Sequence, residues 1–146
     1  MNEVDLWEQY LQVLQNREDN GYGDGNAEAI IAEAVRLAQE GLKTGERSFC
    51  LNFPPPQQQR RLISWGIIIG NGNDRIHRFY HEEFQDFLYA WDATQRNLMP
   101  RVVLTEIDKH MSRNVLIWMQ KIYKRQGGQI YKQFLKEVLL KGTPNV

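Results

Sequence analysis

The stretch Leu62–Asp92, LISWGIIIGNGNDRIHRFYHEEFQDFLYAWD, decides how the chain folds. Its centre is a run of three isoleucines, Ile67–Ile69, entered through Gly66 and left through Gly70–Asp74 (GNGND). Glycine, Asn and Asp accept positive φ at low steric cost, so these five residues predict a tight turn between paired strands. The returning strand is Arg75–Tyr80 (RIHRFY). Its period of two sets Ile76, Arg78 and Tyr80 on one face and Arg75, His77 and Phe79 on the other. After it, His81–Gln95 carries Phe84, Phe87, Leu88 and Trp91 at helical spacing, with Glu82, Glu83 and Asp86 where the helix dipole favours carboxylates.

Working outward from this stretch, Gln57–Trp65 (QQQRRLISW) reads as a helix with Leu62 and Ile63 inward and its Gln/Arg cluster outward. Pro54–Pro56 precede it, offering no N–H to a sheet but a permissible first helical turn. Ser48–Phe53 (SFCLNF) alternates as a short strand does. Residues 3–16 form a helix with Leu6, Tyr10, Val13 and Leu14 on one stripe, widened by Trp7 and Leu11. The polar, glycine-rich segment Arg17–Asn26 is a loop. Asn26 caps a second helix, Ala27–Glu40, buried through Ile30, Ile31, Ala34, Leu37 and Ala38 and closed by Gly41. Downstream of Asn97–Pro100, helices are expected at Arg101–His110, Met111–Arg125 and Gln129–Lys141. Val115, Trp118, Met119 and Ile122 face inward on the second of these. Ile130, Phe134, Leu135, Val138 and Leu139 do so on the third, before a frayed tail at Gly142–Val146. The expected fold is mainly α with a small antiparallel β-hairpin, a winged-helix-like core with flanking helices. Residues 1–146 make a single domain: a helical pair at 1–42, the winged-helix-like core at 47–95 and C-terminal helices at 101–141.

A chain of 146 residues, 42% hydrophobic and 11% aromatic, can bury a core without a metal or a disulfide. The lone cysteine, Cys50, excludes an internal disulfide and reads as a small core residue of an apolar strand. No apolar run approaches the roughly 20 residues that span a bilayer, and no signal segment opens the chain, so a soluble cytoplasmic protein without membrane contact is expected. The net charge is zero but unevenly spread. Residues 1–50 hold 4 Lys/Arg against 10 Asp/Glu, and residues 101–146 hold 9 against 3. An acidic front and a basic tail attract each other, within one molecule or between two.

Enzyme chemistry finds little support. The chain has no phosphate-cradling G-x-x-x-x-G-K-[ST] loop, and GNG at 70–72 leads into a strand rather than a helix. There is no G-x-S-x-G turn to raise a nucleophile. One Cys and three His cannot assemble a zinc set of ordinary spacing, and His77 and His81 straddle a strand and a helix. An EF-hand reading from Asp19 fails because Asp24 stands where glycine is required and Ile30 where the bidentate acid is required. His81, Glu82 and Glu83 form an acid/base cluster at a helix start, an arrangement that more often serves the dipole. No catalytic residue, metal or cofactor is expected.

A winged helix reads DNA with the helix before its hairpin. Here Gln57, Gln58, Arg60 and Arg61 would meet bases and phosphates, and Arg75 and Arg78 would hold the backbone. Opposing this, the wing tip Asn71–Asp74 carries no positive charge, and most of the basic excess lies in residues 101–141. The same six side chains serve equally as a protein-binding face.

Arg78–Trp91 (RFYHEEFQDFLYAW) resembles the F-x-H-x-x-F-Q-E-F-L-A-A signature in the winged-helix region of STAND NTPases, the NACHT- and NLR-like ATPases of bacterial antiviral defence and innate immunity. Leu62–Ile69 is similar to the lead into that hairpin. The resemblance spans about 35 residues. It implies a post-ATPase regulatory module and a nucleotide-sensing role for His81, opposite a β-phosphate held by an ATPase domain. No such domain is contained in these 146 residues, so the ATPase would be another chain or another part of a longer protein. The reading is a non-enzymatic protein-interaction module with a protein partner, and the alternative is a DNA-binding transcriptional regulator.

Overall fold

The computed structural model describes residues 3–17, 27–70, 72 and 75–141. The Asn26 cap, the loop at 18–26, the wing tip apart from Gly72 and the tail at 142–146 lie outside the described residues. The elements in chain order are α1 (Glu3–Arg17), α2 (Ala27–Thr44), β1 (Ser48–Cys50), α3 (Gln57–Ser64), β2 (Ile68–Gly70), β3 (Ile76–Phe79), α4 (Glu82–Gln95), α5 (Pro100–Glu106), α6 (Ser112–Gln126) and α7 (Gly128–Lys141).

The sheet is antiparallel with strand order β1-β3-β2. β3 therefore pairs on both sides: His77 lies opposite Phe49 and Gly70, and Arg78 opposite Ser48 and Ile69. His77 and Phe79, which alternation sets on one face, point into the core, with the Phe49 and Phe79 rings 5.6 Å apart. With α2 before β1 and α3 before the β2–β3 hairpin, this is a winged-helix-like arrangement on a mainly α-helical chain. A single helix, α3, separates β1 from β2 among the described residues, because Pro54–Pro56 occupy the intervening chain.

The core is organised on α4. Its residues Phe84 to Ala90 are all buried, so the helix is enclosed for two turns rather than lying on a surface. It packs chiefly on α6, where Phe87 meets Trp118 edge-on at 5.6 Å, and on α2. Helix α6 buries Val115, Trp118, Met119 and Ile122 as its spacing predicts, together with Leu116 and Tyr123. Helix α1 rests on this framework through Val4, Leu11 and Leu14 and through Trp7 and Tyr10, whose rings lie 5.1 and 5.0 Å from that of Phe84.

Several expectations are corrected. Gly41 does not close α2; the helix runs on to Thr44 and ends before Gly45, whose φ is +77°. Gly41 is there for proximity: a Cβ on it would lie 2.5 Å from Gln85 Nε2 and 2.8 Å from the Arg47 carbonyl. Cys50 is exposed, because β1 alternates and Phe49, not Cys50, takes the inward position. Leu6 and Val13 are exposed, as α1 turns the Val4–Leu11–Leu14 side inward. Ile63 is exposed and Gln59 is buried, since Leu62 and Gln59 are one turn apart on the covered side of α3. Leu139 is 78% exposed while Phe134 anchors α7. The helix expected at Arg101–His110 is shorter, Pro100–Glu106.

Candidate functional site

Helix α3 begins after Pro56, which supplies an extended residue at the N-cap without a side-chain bond. Its inner side is fixed by a polar relay. The backbone N–H of Asn52 donates to Gln59 Oε1 at 3.2 Å, and Gln59 Nε2 donates to Glu33 Oε2 on α2 at 2.9 Å. Glu33 also pairs with Arg36, whose hydrogen bond is the main cause holding its carboxyl below the usual range. A buried amide with both ends engaged costs little, whereas an unpaired one would cost about 1–3 kcal/mol. The relay thus fixes which side of α3 faces solvent.

On the solvent side, Gln57, Arg60, Arg61 and Ser64 follow i, i+3, i+4, i+7 spacing and line one shallow concavity of about 220 Å³. Arg60 Nη1 reaches back to the Pro55 carbonyl at 2.8 Å, which with the Asn52–Gln59 bond lays residues 52–56 along the first turn of α3. Beside this turn Phe53 is 72% exposed, with the Arg75 guanidinium 5.3 Å from its ring centre. Such a cation–π contact contributes about 0.5–1 kcal/mol at an exposed site. Phe53, expected as the end of a strand, lies beyond β1, and Ile63, expected inward, is exposed; neither stands among the interaction residues expected from the sequence. The signal for Phe53 was available, since a residue leading into three prolines leaves the strand and has no neighbouring strand to cover it.

The six predicted interaction residues are therefore only partly gathered. Gln57, Arg60 and Arg61 share a face, and Gln58 is turned aside and half-buried. Arg75 joins through Phe53. Arg78 lies half-buried on the sheet, donating to the Phe79 carbonyl at 3.3 Å.

His81 sits elsewhere, at the N-cap of α4 in extended conformation, with an exposed side chain that makes no cap hydrogen bond. Its carbonyl accepts from the N–H groups of Phe84 and Gln85 at 3.1 and 3.3 Å. The ring contacts Tyr80 at 4.7 Å and Trp7 at 5.9 Å. Glu82 and Glu83 beside it are exposed, and Glu82 lies 3.6 Å from Arg47.

The basic tail and acidic front meet within the molecule. Lys121 pairs with Glu3 at 2.9 Å, and Arg125 pairs with Asp5 at 2.6 Å and with Glu8. Two of the cations that a phosphate backbone would want on α6 are thereby engaged by α1.

Among the described residues no three His, Cys, Asp or Glu side chains are grouped to hold a metal ion. No described helix is long and apolar enough to cross a membrane. No known protein family matches the chain, and no curated protein matches it.

Proposed function

We propose that this chain is a non-enzymatic, regulatory protein-interaction module whose docking face is the outer side of α3 with Phe53 and Arg75. The observation that carries the reading is the exposed Phe53 ring against the Arg75 guanidinium, beside the Gln57–Arg60–Arg61 face. An exposed aromatic with an arginine against it is the composition of a protein-binding hot spot. The partner that fits is a protein segment with an apolar residue for Phe53 and carboxylates for the guanidinium groups. The likeness of residues 78–91 to STAND proteins extends the proposal: the partner is an ATPase in another chain, His81 meets its nucleotide, and the setting is bacterial antiviral defence. The exposed His81 ring at a helix N-terminus supports that extension.

A winged helix invites the DNA alternative, and the shared concavity lined by Gln57, Arg60 and Arg61 favours it. One experiment separates the two. Amide chemical shifts are followed while random duplex DNA, or an acidic amphipathic peptide, is titrated at low and high salt. The protein reading expects shifts around Phe53, Gln57 and Arg61 with the peptide and none with DNA. DNA binding that weakens steeply with salt and falls on Arg60→Ala/Arg61→Ala would overturn it. For His81, substitution by Ala is expected to weaken ADP-dependent association with a partner ATPase; unchanged association removes the nucleotide role.

A further inference from the structure

Three helices leave a space between them at the end of the fold away from the sheet. Gln85 of α4 donates to the Ala38 carbonyl of α2, so the start of α4 lies beside the later turns of α2 and the two run in opposite directions. Trp7 of α1 meets His81 and Phe84, while Gln12 and Gln15 share a concavity with Trp91 and Gln95, so α1 runs the same way as α4. The last turns of α1 and α4 thus converge on the first turns of α2 around a concavity of about 660 Å³. Small-molecule sites are of this size, about 300–1,000 Å³.

The walls carry one sign of charge. On α2, Glu28, Ile31, Ala32 and Val35 recur at helical spacing, so a carboxylate heads an apolar strip about 10 Å long. On α4, the half-buried Trp91 indole and the Asp92 carboxylate both line the space. No Lys, Arg or His stands among its described lining residues. Glu28 has no ionic partner among the described residues. Asp92 accepts from Arg96 Nε at 2.9 Å, but the same guanidinium lies 3.8 Å from Glu106, so one cation serves two carboxylates. The negative ends of the α1 and α4 dipoles also point here, against the positive end of α2 alone.

We propose that this space binds a linear aliphatic polyamine. One ammonium group sits against Glu28, a second against Asp92 and the Trp91 ring, and the methylene chain between them lies on Ile31 and Val35. An ammonium only donates, and the space offers carboxylate and amide oxygens to receive it. The indole face adds the attraction of its quadrupole for a cation. An anionic ligand would meet two carboxylates and no cation. A bare metal ion would leave the indole and the apolar strip unused, and among the described residues no three ligating side chains are grouped to hold one.

The test is titration of the full chain with spermidine at low salt, followed by calorimetry and by the Trp91 indole N–H resonance, assigned with Trp91→Phe. Saturable one-to-one binding that shifts this resonance is expected. Glu28→Gln and Asp92→Asn should each weaken it about ten-fold, the worth of one charge-assisted hydrogen bond. Ala32→Phe fills the space without altering charge and should abolish binding. Glu28 and Ala32 are exposed, so the thermal midpoints of Glu28→Gln and Ala32→Phe stay within a few degrees and folding is not the cause. A neutral alkane diol of similar length should not bind. Absence of binding, an unmoved Trp91 resonance at saturation, binding retained in Ala32→Phe or equal binding of the diol would each overturn the proposal. So would equal weakening by Glu46→Gln, an exposed carboxylate beyond the far end of α2, which would mark diffuse surface attraction. Arg60→Ala/Arg61→Ala leave spermidine binding unchanged, so this site and the α3 docking face are read separately.

Discussion

The Arg47 guanidinium holds the Asp86 carboxylate by two hydrogen bonds of 3.1 Å each, joining the turn between α2 and β1 to the enclosed helix α4. Asp86 is buried on its helix, and Arg47 adopts φ +64° to reach it. Gln85 completes the join by donating from Nε2 to the Ala38 carbonyl at 3.3 Å and accepting from Arg47 Nη1 at 3.2 Å. This bidentate pair ties together the two ends of the winged-helix-like core, residues 47–50 and 82–95.

Removing one partner of a buried ion pair strands the other, at a cost of about 3–5 kcal/mol. Arg47→Ala is therefore expected to destabilise by that amount in urea unfolding. Arg47→Gly loses the same pair but relieves the left-handed backbone, and is expected to be milder by about 1 kcal/mol. Equal losses in the two variants would show that the φ of Arg47 carries no cost.

The same pair sets an acid-range signature. Burial raises the Asp86 carboxyl above its ordinary 3.8, and the Arg47 hydrogen bonds oppose that rise. A raised folded-state pKa means the folded chain takes up the proton first. The contribution of Asp86 is thus fully present below pH 3.8 and declines as pH climbs through the raised value. Glu33 runs the other way: its lowered carboxyl contributes above its ordinary 4.5, and that contribution fades as pH drops through the lowered value. Asp86→Asn should remove the first slope and leave the second. In Arg47→Ala the Asp86 slope should extend to higher pH, measured as unfolding free energy against pH.

Gly41 admits no side chain where it stands. A methyl group there would meet Gln85 Nε2 at 2.5 Å and the Arg47 backbone at 2.8 Å. Although alanine favours helices, Gly41→Ala is expected to cost about 1–3 kcal/mol through overpacking. A rise in thermal midpoint would show that the α2–α4 contact yields easily.

What was legible in the sequence follows from how each residue acts. The hairpin and α4 rest on local signals, the turn residues after Ile69 and the spacing of Phe84, Phe87 and Leu88, and these elements form at nearly the expected places. The exposed face of α3 could be read from Gln57, Arg60 and Arg61, but Gln59 in their midst turns inward to Glu33 on α2. Nothing local distinguishes it from its neighbours. Gly41 misled for the same reason: a glycine late in an alanine-rich helix reads as a stop, and its true role depends on Gln85, 44 residues away. Leu6 and Val13 looked like core because helical spacing shows an apolar stripe and not which part of it is covered.

Tyr123 gives an alkaline counterpart. Its hydroxyl donates to the Leu98 carbonyl at 2.8 Å, fastening α6 to the chain before α5, and burial pushes its pKa up to about 12. The contribution is complete below the ordinary value of 10 and is lost as pH rises through about 12. Tyr123→Phe should cost about 1 kcal/mol near neutral pH and flatten the loss of stability between those two values. A slope as steep as before would assign the alkaline transition to Tyr89, whose hydroxyl is also buried and bonded to Glu106.

The charge split along the chain has a mechanical consequence for α1. Its pairs with Lys121 and Arg125 lie at the surface, where each contributes at most about 1 kcal/mol and is screened by salt. Its fully buried apolar residues are Val4, Leu11 and Leu14, with Trp7 and Tyr10 half-buried on Phe84, against the continuous burial of α4 from Phe84 to Ala90. Helix α1 should therefore open locally while α4 and α6 stay folded. Hydrogen exchange is expected to reach the α1 amides well before those of α4, and sooner still at high salt. Arg125→Glu sets a carboxylate against Asp5 and Glu8, and should speed α1 exchange about ten-fold while lowering global stability by no more than about 1 kcal/mol. If α1 and α4 instead exchanged together in that variant, α1 would be part of the cooperative core, and its ion pairs would be incidental to its docking.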